Sequence, residues 1–517
     1  MLLSRLVPSL PRSDRGAQWD PRWVWLAAGI AGVVVSLGFA PFAVPIATLL
    51  GMSLLIVVLR HEVTSGRGIR SALVVALAFG FGFTAVLLWW MRVVSPGAYI
   101  ALAIAQAVLT AASVLAIRVV IALPGWPVWS AAVWTMSEYL RGAFPFGGFP
   151  WGRLAHATLG SPVEAWVRVI GMAATSTLVF LLAAGLAHLV SKPRASEFAA
   201  VLLGAGVAIG LGVVLPTGAA SPVGSTSVAV VQGDVPVLFA SWPSREIFAK
   251  HVAATRDLVA AVNAGDVPQP DMVLWPENSL DFDPLNDPSA ASQLTDLTRS
   301  LNAPILIGAI LDGPAAETAT NTGIVWTENG PADRYTKRKL VPFGEYVPFR
   351  DVLEGLVPRF GREIPRDMLP GPEQGPIHIA GVTVGDAICW DVAHDAIVAD
   401  TVRRGAQMLV VQTSNASFTG TSQPEQQWQI SRLRAIETGR SVVVPSTNGI
   451  SGIIDASGNV VERAPTRVST FVSAKIELAD GITPGVRWGA NLQLGIILLG
   501  GAGLLLAARK TWRGRIT

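Results

Sequence analysis

The sequence predicts a polytopic α-helical membrane domain followed by an α/β domain. Hydrophobic residues occupy 51% of the 517 positions and charged residues only 15%, whereas an ordinary soluble protein carries about 25% charged residues. The charges concentrate in residues 221–488, while 1–220 and 489–517 hold long apolar runs. We therefore expect a transmembrane domain over 1–220, a globular domain over 221–488, and a final transmembrane helix with a basic tail over 489–517.

The apolar runs are long enough to cross a bilayer, since about 20 helical residues span its hydrocarbon core. About seven runs precede the globular domain and one follows it. The candidate spans are 23–40, 43–59, 71–92, 98–122, 126–141, 163–190, 199–217 and 489–508.

The short segments between these spans indicate the orientation of the chain. Basic residues collect at the amino terminus, in the loops 60–70 and 191–198, and in the carboxyl-terminal tail. With seven spans ahead of the globular domain, these four regions fall on one side of the membrane. Short basic loops stay in the cytoplasm, so the globular domain is expected outside it.

Within 221–488, short β-rich runs alternate with amphipathic stretches, which is typical of a layered α/β domain. The predicted strands are 227–232, 272–275, 304–310, 323–327, 382–389, 408–413, 442–446, 451–454 and 470–476. The predicted helices are 244–264, 288–301, 394–404 and 424–438.

Candidate catalytic groups stand near the ends of predicted strands. Glu277 follows the apolar run 272–275, and Cys389 ends the run 382–389. Lys337 lies between them in the chain. Functional groups of α/β proteins gather beyond strand ends, where loops shape a pocket. Cys389 is the only cysteine, so an intramolecular disulfide is excluded; the alternative to a functional thiol is a small buried apolar side chain.

A thiol, a carboxylate and an ammonium group can together perform nucleophilic acyl transfer. A thiol with a pKa of about 8.5 is mostly protonated and needs a base or a nearby cation. A carboxylate can take the thiol proton and return it to a leaving group, and an ammonium group stabilises the thiolate and an oxyanion. None of the six histidines lies in a comparable motif; His394, near the cysteine, is expected to be a surface or capping residue.

Motifs along nearly the whole chain resemble those of a known family. They are GFPW at 148–151, VQGDVP at 231–236, WPE at 275–277, Lys337 followed by LVPFGE at 340–345, Cys389, SN at 414–415, and 432–440 followed by STNG at 446–449. In this order they resemble the carbon–nitrogen hydrolase (nitrilase) superfamily and, more narrowly, the apolipoprotein N-acyltransferase family of membrane enzymes. The resemblance implies a nitrilase-like α-β-β-α sandwich for the globular domain.

The resemblance implies a role for each candidate group. Cys389 would be the nucleophile, Glu277 the general base and Lys337 the stabiliser of the oxyanion. Lys339 is the competing lysine, but Lys337 lies eight positions before Glu345, which is the spacing of the family. Glu345 would be a second carboxylate that orients Lys337; the alternative for it is a surface ion pair.

Three further residues are supporting candidates. Trp242 corresponds, to within one residue, to a family tryptophan near the acyl chain. The family usually has Cys-Tyr-Glu at the nucleophile, whereas this chain has cysteine followed by Trp390 and Asp391. The aromatic and acidic characters are kept, but the phenol hydroxyl and one methylene are lost, which leaves the roles of these two side chains open.

The resemblance also implies a reaction. Cys389 would take an acyl group from a phospholipid as a thioester and pass it to the α-amine of the diacylglyceryl-modified amino-terminal cysteine of a bacterial apolipoprotein. The enzyme would act as a monomer in the bacterial inner membrane, with its catalytic domain outside the cytoplasm. No cofactor or metal is expected, since there is no Gly-rich phosphate loop and no His/Cys cluster. The net charge of +3 is too small to imply nucleic acid.

The same residues also allow two other functions. A membrane-anchored amidase or nitrile hydrolase would use water as the acceptor, and a silent scaffold would need none of the catalytic groups.

Aromatic residues in loops rich in Gly and Pro suggest a lip at the bilayer surface. They are Phe239, Trp242, Phe360 and Phe418, in the loops 237–247, 355–371 and 416–424.

Overall fold

The computed structural model describes residues 19–190, 193–235, 245–373 and 375–513. The chain divides into two compact units. The membrane unit comprises Met1–Pro216 and Trp488–Thr517, and the globular unit comprises Thr217–Arg487.

The membrane unit is helical. Its helices before the globular unit are α1 (Pro21–Ser36), α2 (Pro45–Thr64), α3 (Ile69–Leu87), α4 (Pro96–Val120), α5 (Trp126–Ala143), α6 (Val167–Leu189) and α7 (Ala195–Val214). The last described helix, Pro484–Arg513, begins within the final residues of the globular unit and continues into the membrane unit. Helices α1, α2 and α4 each carry proline in the first turn, where the missing N–H would have no intrahelical partner.

Six of the described helices are long and apolar enough to cross a membrane, which confirms a polytopic helical domain. The spans are Pro45–Thr64, Ile69–Leu87, Pro96–Val120, Trp166–Leu189, Ala195–Val214 and Pro484–Lys510. Helix α1 is apolar but shorter. Helix α5 is less apolar, since it carries Glu138 and Arg141, both buried.

The globular unit contains two β-sheets. Its strands are β1 (Pro222–Gln232), β2 (Met272–Leu274), β3 (Ile305–Asp312), β4 (Thr318–Thr327), β5 (Gly330–Thr336), β6 (Asp367–Met368), β7 (Ile377–Ile379), β8 (Val382–Asp386), β9 (Met408–Val410), β10 (Val442–Val444), β11 (Gly452–Ile454), β12 (Val460–Arg463) and β13 (Thr470–Ala479). The first sheet has the order β13-β1-β2-β3-β4-β5, with β6 beside β4. The second has the order β12-β11-β10-β9-β8-β7.

The globular unit also contains α-helices. They are α8 (Glu246–Ala264), α9 (Pro288–Leu301), α10 (Arg350–Leu356), α11 (Arg359–Glu363), α12 (Asp395–Arg403) and α13 (Gln423–Thr438). Helices α8 and α9 share an apolar core with the first sheet that contains Trp275 and Leu294. A second core joins the two sheets and contains Leu306 and Val410. Since α12 and α13 pack on the second sheet, the predicted α-β-β-α sandwich is confirmed.

Parallel pairing explains why the candidate groups come together. Strand β2 pairs in parallel with β1 and β3 in the first sheet, and β9 pairs in parallel with β8 and β10 in the second. The carboxyl ends of parallel strands meet at one edge of a sheet. The segments after β2, β8 and β9 therefore emerge at such edges, and they carry Glu277, Cys389 and Ser414.

Two glycines lie opposite each other in the first sheet and form a notch. Gly308 on β3 pairs with Gly323 on β4. A Cβ on Gly308 would lie 2.4 Å from the carbonyl oxygen of Pro276 and 2.8 Å from Cα of Glu277. The segment that carries Glu277 can therefore lie directly on β3 because position 308 has no side chain.

Gly308→Ala is expected to destabilise the globular unit, because its Cβ would push the backbone of Pro276 and Glu277 away from β3. Overpacking of this kind costs about 1–3 kcal/mol. Gly355→Ala is the matched control, since a Cβ there would meet nothing within 4 Å. Thermal unfolding of the full-length protein in detergent measures the effect. Equal unfolding midpoints for wild type and Gly308→Ala would contradict the close packing.

Candidate active site

Cys389 lies at a sharp turn that follows β8. Its φ of +52° places the backbone in the left-handed region, which is strained for a residue other than glycine. The N–H of Cys389 donates to the carbonyl of Gln412 at 2.7 Å, and its own carbonyl accepts from Nε2 of Gln427 at 3.2 Å. The residue is half-buried. These two hydrogen bonds hold the nucleophile candidate in its strained conformation.

Lys337 lies between two carboxylates directly beyond the end of β5. Its Nζ donates to Oε1 of Glu277 at 3.0 Å and to Oε1 of Glu345 at 2.9 Å. Lys337 is 1% exposed and Glu277 is 5% exposed, so water has little access to this ion pair. An unpaired buried ammonium group would be strongly destabilising. The structure thus brings Glu277, Lys337 and Glu345 into one buried cluster.

Asn321 is a residue of this cluster that the sequence prediction misses. Its Nδ2 donates to Oε1 of Glu277 at 2.8 Å and to Oε1 of Glu345 at 3.1 Å, and its backbone carbonyl accepts from the N–H of Lys337 at 2.9 Å. The predicted strand 323–327 starts too late to include it, because β4 begins at Thr318. The sequence signal that could have identified this residue is an asparagine within a strand, because asparagine is uncommon in strands.

Among the described residues, the hydrogen bonds of Glu277 leave one acceptor position open. An ionised carboxylate offers about four such positions. Oε1 accepts from Lys337 and Asn321, whereas Oε2 accepts from the backbone N–H of Ser414 at 3.0 Å. Oε2 is therefore the atom with room for a proton. Within the described part of the chain, Lys337 uses two of its three N–H donors on carboxylates, which leaves the third for another acceptor.

The electrostatics of the cluster keep the thiol neutral. Burial, together with the carboxylate of Glu277, raises the pKa of Cys389 to about 12; the Lys337 ammonium and a hydrogen bond with Thr413 oppose this shift only in part. Burial alone would lower the pKa of Lys337, but the carboxylates of Glu277 and Glu345 raise it well above its usual value. At neutral pH the site holds a protonated thiol beside a charged ammonium group, so a nucleophilic Cys389 needs a base.

Asp391 connects the segment of Lys337 to the turn of Cys389. It is fully buried. Oδ1 accepts from the backbone N–H of Lys339 at 2.9 Å, and Oδ2 accepts from the hydroxyl of Tyr335 at 2.9 Å. Burial raises the pKa of Asp391 to about 6. An aspartate is thus long enough to make this connection.

The other predicted residues lie around or outside the cluster. Trp390 is half-buried, and its ring lies 6.0 Å from that of His394. His394 precedes α12 as its N-cap and is buried rather than on the surface. Lys339 is exposed. Trp242 lies outside the described residues. The described ranges contain no group of three or more His, Cys, Asp or Glu side chains that could hold a metal ion.

Lys337→Met is expected to destabilise the globular unit by about 3–5 kcal/mol, since it leaves the buried carboxylate of Glu277 and the half-buried carboxylate of Glu345 without their cation. Adding Glu345→Gln removes one of these charges and should recover part of the loss. Lys339→Met, at an exposed position, is the control. Thermal unfolding midpoints in detergent report the effect. An unchanged midpoint for Lys337→Met would show that the cluster does not depend on its ammonium group.

Two family models match this chain. The model of the apolipoprotein N-acyltransferase N-terminal domain matches residues 31–185, and that of carbon–nitrogen hydrolases matches 227–482. The apolipoprotein N-acyltransferase of Mycolicibacterium smegmatis is 34% identical over 509 residues, which cover 93% of this chain and 85% of the relative. That of Azotobacter vinelandii is 31% identical, covering 96% of this chain and 98% of the relative.

Among solved structures, a carbon–nitrogen hydrolase from Helicobacter pylori is 16% identical and aligns with a TM-score of 0.36, covering 53% of this chain and 94% of that one. The two family models match one unit each, and the two relatives align in sequence over both units. The chain therefore belongs to the apolipoprotein N-acyltransferase family and is a multi-pass membrane acyltransferase with a carbon–nitrogen hydrolase domain.

Proposed function

We propose that this enzyme N-acylates bacterial apolipoproteins at the α-amine of their diacylglyceryl-modified amino-terminal cysteine, using a phospholipid as acyl donor. The observation that carries the proposal is the buried cluster in which Cys389 interacts electrostatically with Glu277 and Lys337. The acceptor class comes from the relatives, which are named apolipoprotein N-acyltransferases. A nucleophile, a base and a cation in one site suit acyl transfer through a covalent intermediate.

In the first half-reaction, the sulfur of Cys389 attacks the carbonyl carbon of a phospholipid ester, and Oε2 of Glu277 takes the thiol proton. The third N–H of Lys337 stabilises the oxyanion of the tetrahedral intermediate. When the intermediate collapses, the C–O bond of the ester breaks and Glu277 returns the proton to the departing alkoxide. The products are a lysophospholipid and a thioester on Cys389.

In the second half-reaction, the α-amine of the apolipoprotein attacks the thioester carbonyl. Glu277 takes a proton from the attacking nitrogen, and Lys337 again stabilises the oxyanion. Collapse breaks the C–S bond, and the sulfur of Cys389 recovers its proton from Glu277. The product is an amide, and the free thiol is regenerated, so the two substrates react in turn at one site.

The membrane unit suits substrates that are themselves lipids. Both the proposed donor and the proposed acceptor carry acyl chains, and six described helices are able to span a bilayer. We further propose that the globular unit lies outside the cytoplasm, because short basic loops are retained inside. In bacteria this corresponds to the inner membrane, with the catalytic unit facing outward.

The intermediate provides the sharpest test of the reaction. Mass spectrometry of the enzyme after incubation with a defined phospholipid should find one acyl chain on Cys389, and a diacylated lipopeptide should remove it as an N-acyl product. Cys389→Ala should carry no acyl chain, and Glu277→Gln or Lys337→Ala should slow acylation by about 100-fold or more. An acyl-enzyme that water discharges as fast as the lipopeptide does would favour an amidase instead. Full activity in Cys389→Ala would end the proposal.

Exposed apolar side chains form a rim on and directly before helix α10, and of its three residues only Leu356 falls within a loop predicted to form the lip. Phe349, Val352 and Leu356 are 73%, 62% and 73% exposed, respectively. Of the predicted lip residues, Phe360 packs against Phe343 with ring centroids 5.8 Å apart, whereas Phe239 and Trp242 lie outside the described residues. Exposed apolar patches commonly mark contact with membranes or partners. We propose that the rim (Phe349, Val352 and Leu356) contacts the lipid surface.

Replacing Phe349 and Leu356 together by Ser is expected to slow acylation of Cys389 from phospholipid vesicles, because each lost apolar side chain weakens contact with lipid by about 1.5–3 kcal/mol. Acylation from a soluble short-chain ester should be unaffected. The matched control is the double replacement of Val460 and Val461 by Ser on β12, which are 41% and 44% exposed. Equal vesicle rates for the rim variant and the wild type would refute a lipid contact there.

A further inference from the structure

Asp386 is a buried acid that the proposed mechanism does not use. It ends β8, three residues before Cys389, and is 2% exposed. Within the described residues, neither carboxylate oxygen of Asp386 makes a hydrogen bond of good geometry. The nearby N–H of Ala387 donates to the carbonyl of Val410 instead. An ionised carboxylate in such a place would be strongly disfavoured.

Gln412 is one of the residues that join the two sheets at the active site. Its Nε2 donates to the carbonyl of Trp275 at 2.7 Å, two residues before Glu277. Its backbone carbonyl accepts from the N–H of Cys389 at 2.7 Å. One residue therefore holds both the segment of the base and the turn of the nucleophile. Gln412 is itself buried, and its Oε1 has no hydrogen-bond donor in the described part of the chain.

The unpaired oxygens of Asp386 and Gln412 face the same small space at the glycine notch. A Cβ on Gly323 would lie 2.3 Å from Oδ2 of Asp386 and 2.5 Å from Oε1 of Gln412. Two oxygen acceptors can pair only if one of them carries a proton, and an amide oxygen carries none. A hydrogen bond between these side chains therefore requires the acid form of Asp386.

The charges around Asp386 also favour the acid form. Burial raises the pKa of Asp386 well above its usual value, and the carboxylates of Asp391 and Glu277 act in the same direction. Asp391 lies on the turn after Cys389, and Glu277 lies on the segment after β2. The hydroxyl of Tyr335, at the end of β5, also lies close enough to interact with Asp386. None of these neighbours is a cation that would hold the carboxylate ionised.

We propose that Asp386 is a neutral carboxylic acid whose hydroxyl donates to Oε1 of Gln412. This pair is a positioning element that keeps Glu277 and Cys389 in their positions relative to each other. The pair acts through Gln412, which contacts both catalytic segments, and needs no contact with substrate. This inference deepens the proposed function, since it concerns the same site. The protonation of Asp386 is nevertheless measurable without any substrate.

Infrared spectroscopy of the full-length protein in detergent at about pH 8 tests the protonation directly. The wild type should show the C=O stretching band of a protonated carboxylic acid, and Asp386→Asn should lack it. Asp391→Asn is the matched control and should keep the band, because Asp391 is ionised at that pH. Absence of the band in the wild type would overturn the proposal, whatever the identity of the substrates.

Two variants of Asp386 test the positioning role. Asp386→Asn keeps a neutral side chain with an N–H donor for Gln412, so its rate of Cys389 acylation should stay within about 3-fold of wild type. Asp386→Leu is similar in size but has no donor, so the rate per folded molecule should fall by about 10-fold or more with an unchanged KM for the phospholipid. At alkaline pH the wild type should lose activity as Asp386 ionises, and Asp386→Asn should not.

Three kinetic results would overturn the positioning role. A rate for Asp386→Asn as low as that for Asp386→Leu would mean that the site requires an ionised carboxylate. A wild-type rate per folded molecule for Asp386→Leu would mean that Asp386 contributes only packing. Finally, superimposable pH profiles for wild type and Asp386→Asn would show that no proton on this residue is linked to activity.

Discussion

One buried ammonium group organises the active site. Lys337 binds Glu277 and Glu345 at once, and Asn321 bridges the same two oxygens. Two carboxylates beside one lysine leave the cluster with a net negative charge, and a thiolate would add another. Cys389 therefore rests as a neutral thiol. A base beside Cys389 then becomes a physical requirement of this arrangement.

The sandwich brings groups that are distant in the chain to one place. Glu277 follows a strand of the first sheet, and Cys389 follows a strand of the second. Facing apolar side chains hold the two sheets together, and Gln412 connects them at the active-site edge. The glycine notch at Gly308 and Gly323 gives these segments room. The site is thus held by packing and by hydrogen bonds on both sheets.

The strands and helices that could be predicted from the sequence are those with a clear apolar pattern. The buried runs at β2 and β3 were recognisable because their residues are almost all apolar, and α9 could be delimited from 288 to 301. Strand β5 was missed because its residues, Gly-Pro-Ala-Asp-Arg-Tyr-Thr, are largely polar and only its end is buried. Asn321 and Asp386 were missed for a different reason. Their roles in the site depend on contacts with residues on other strands, and such contacts cannot be predicted from a local sequence pattern.

Ultraviolet absorption of the thiolate tests most directly whether Cys389 rests as a protonated thiol. Since the chain has one cysteine, the difference between wild type and Cys389→Ala isolates the signal of this residue. Burial beside Glu277, which places the pKa at about 12, predicts no thiolate absorption up to about pH 9. A thiolate that forms with a midpoint below about pH 8 would contradict a protonated resting thiol, because such a cysteine would need no base.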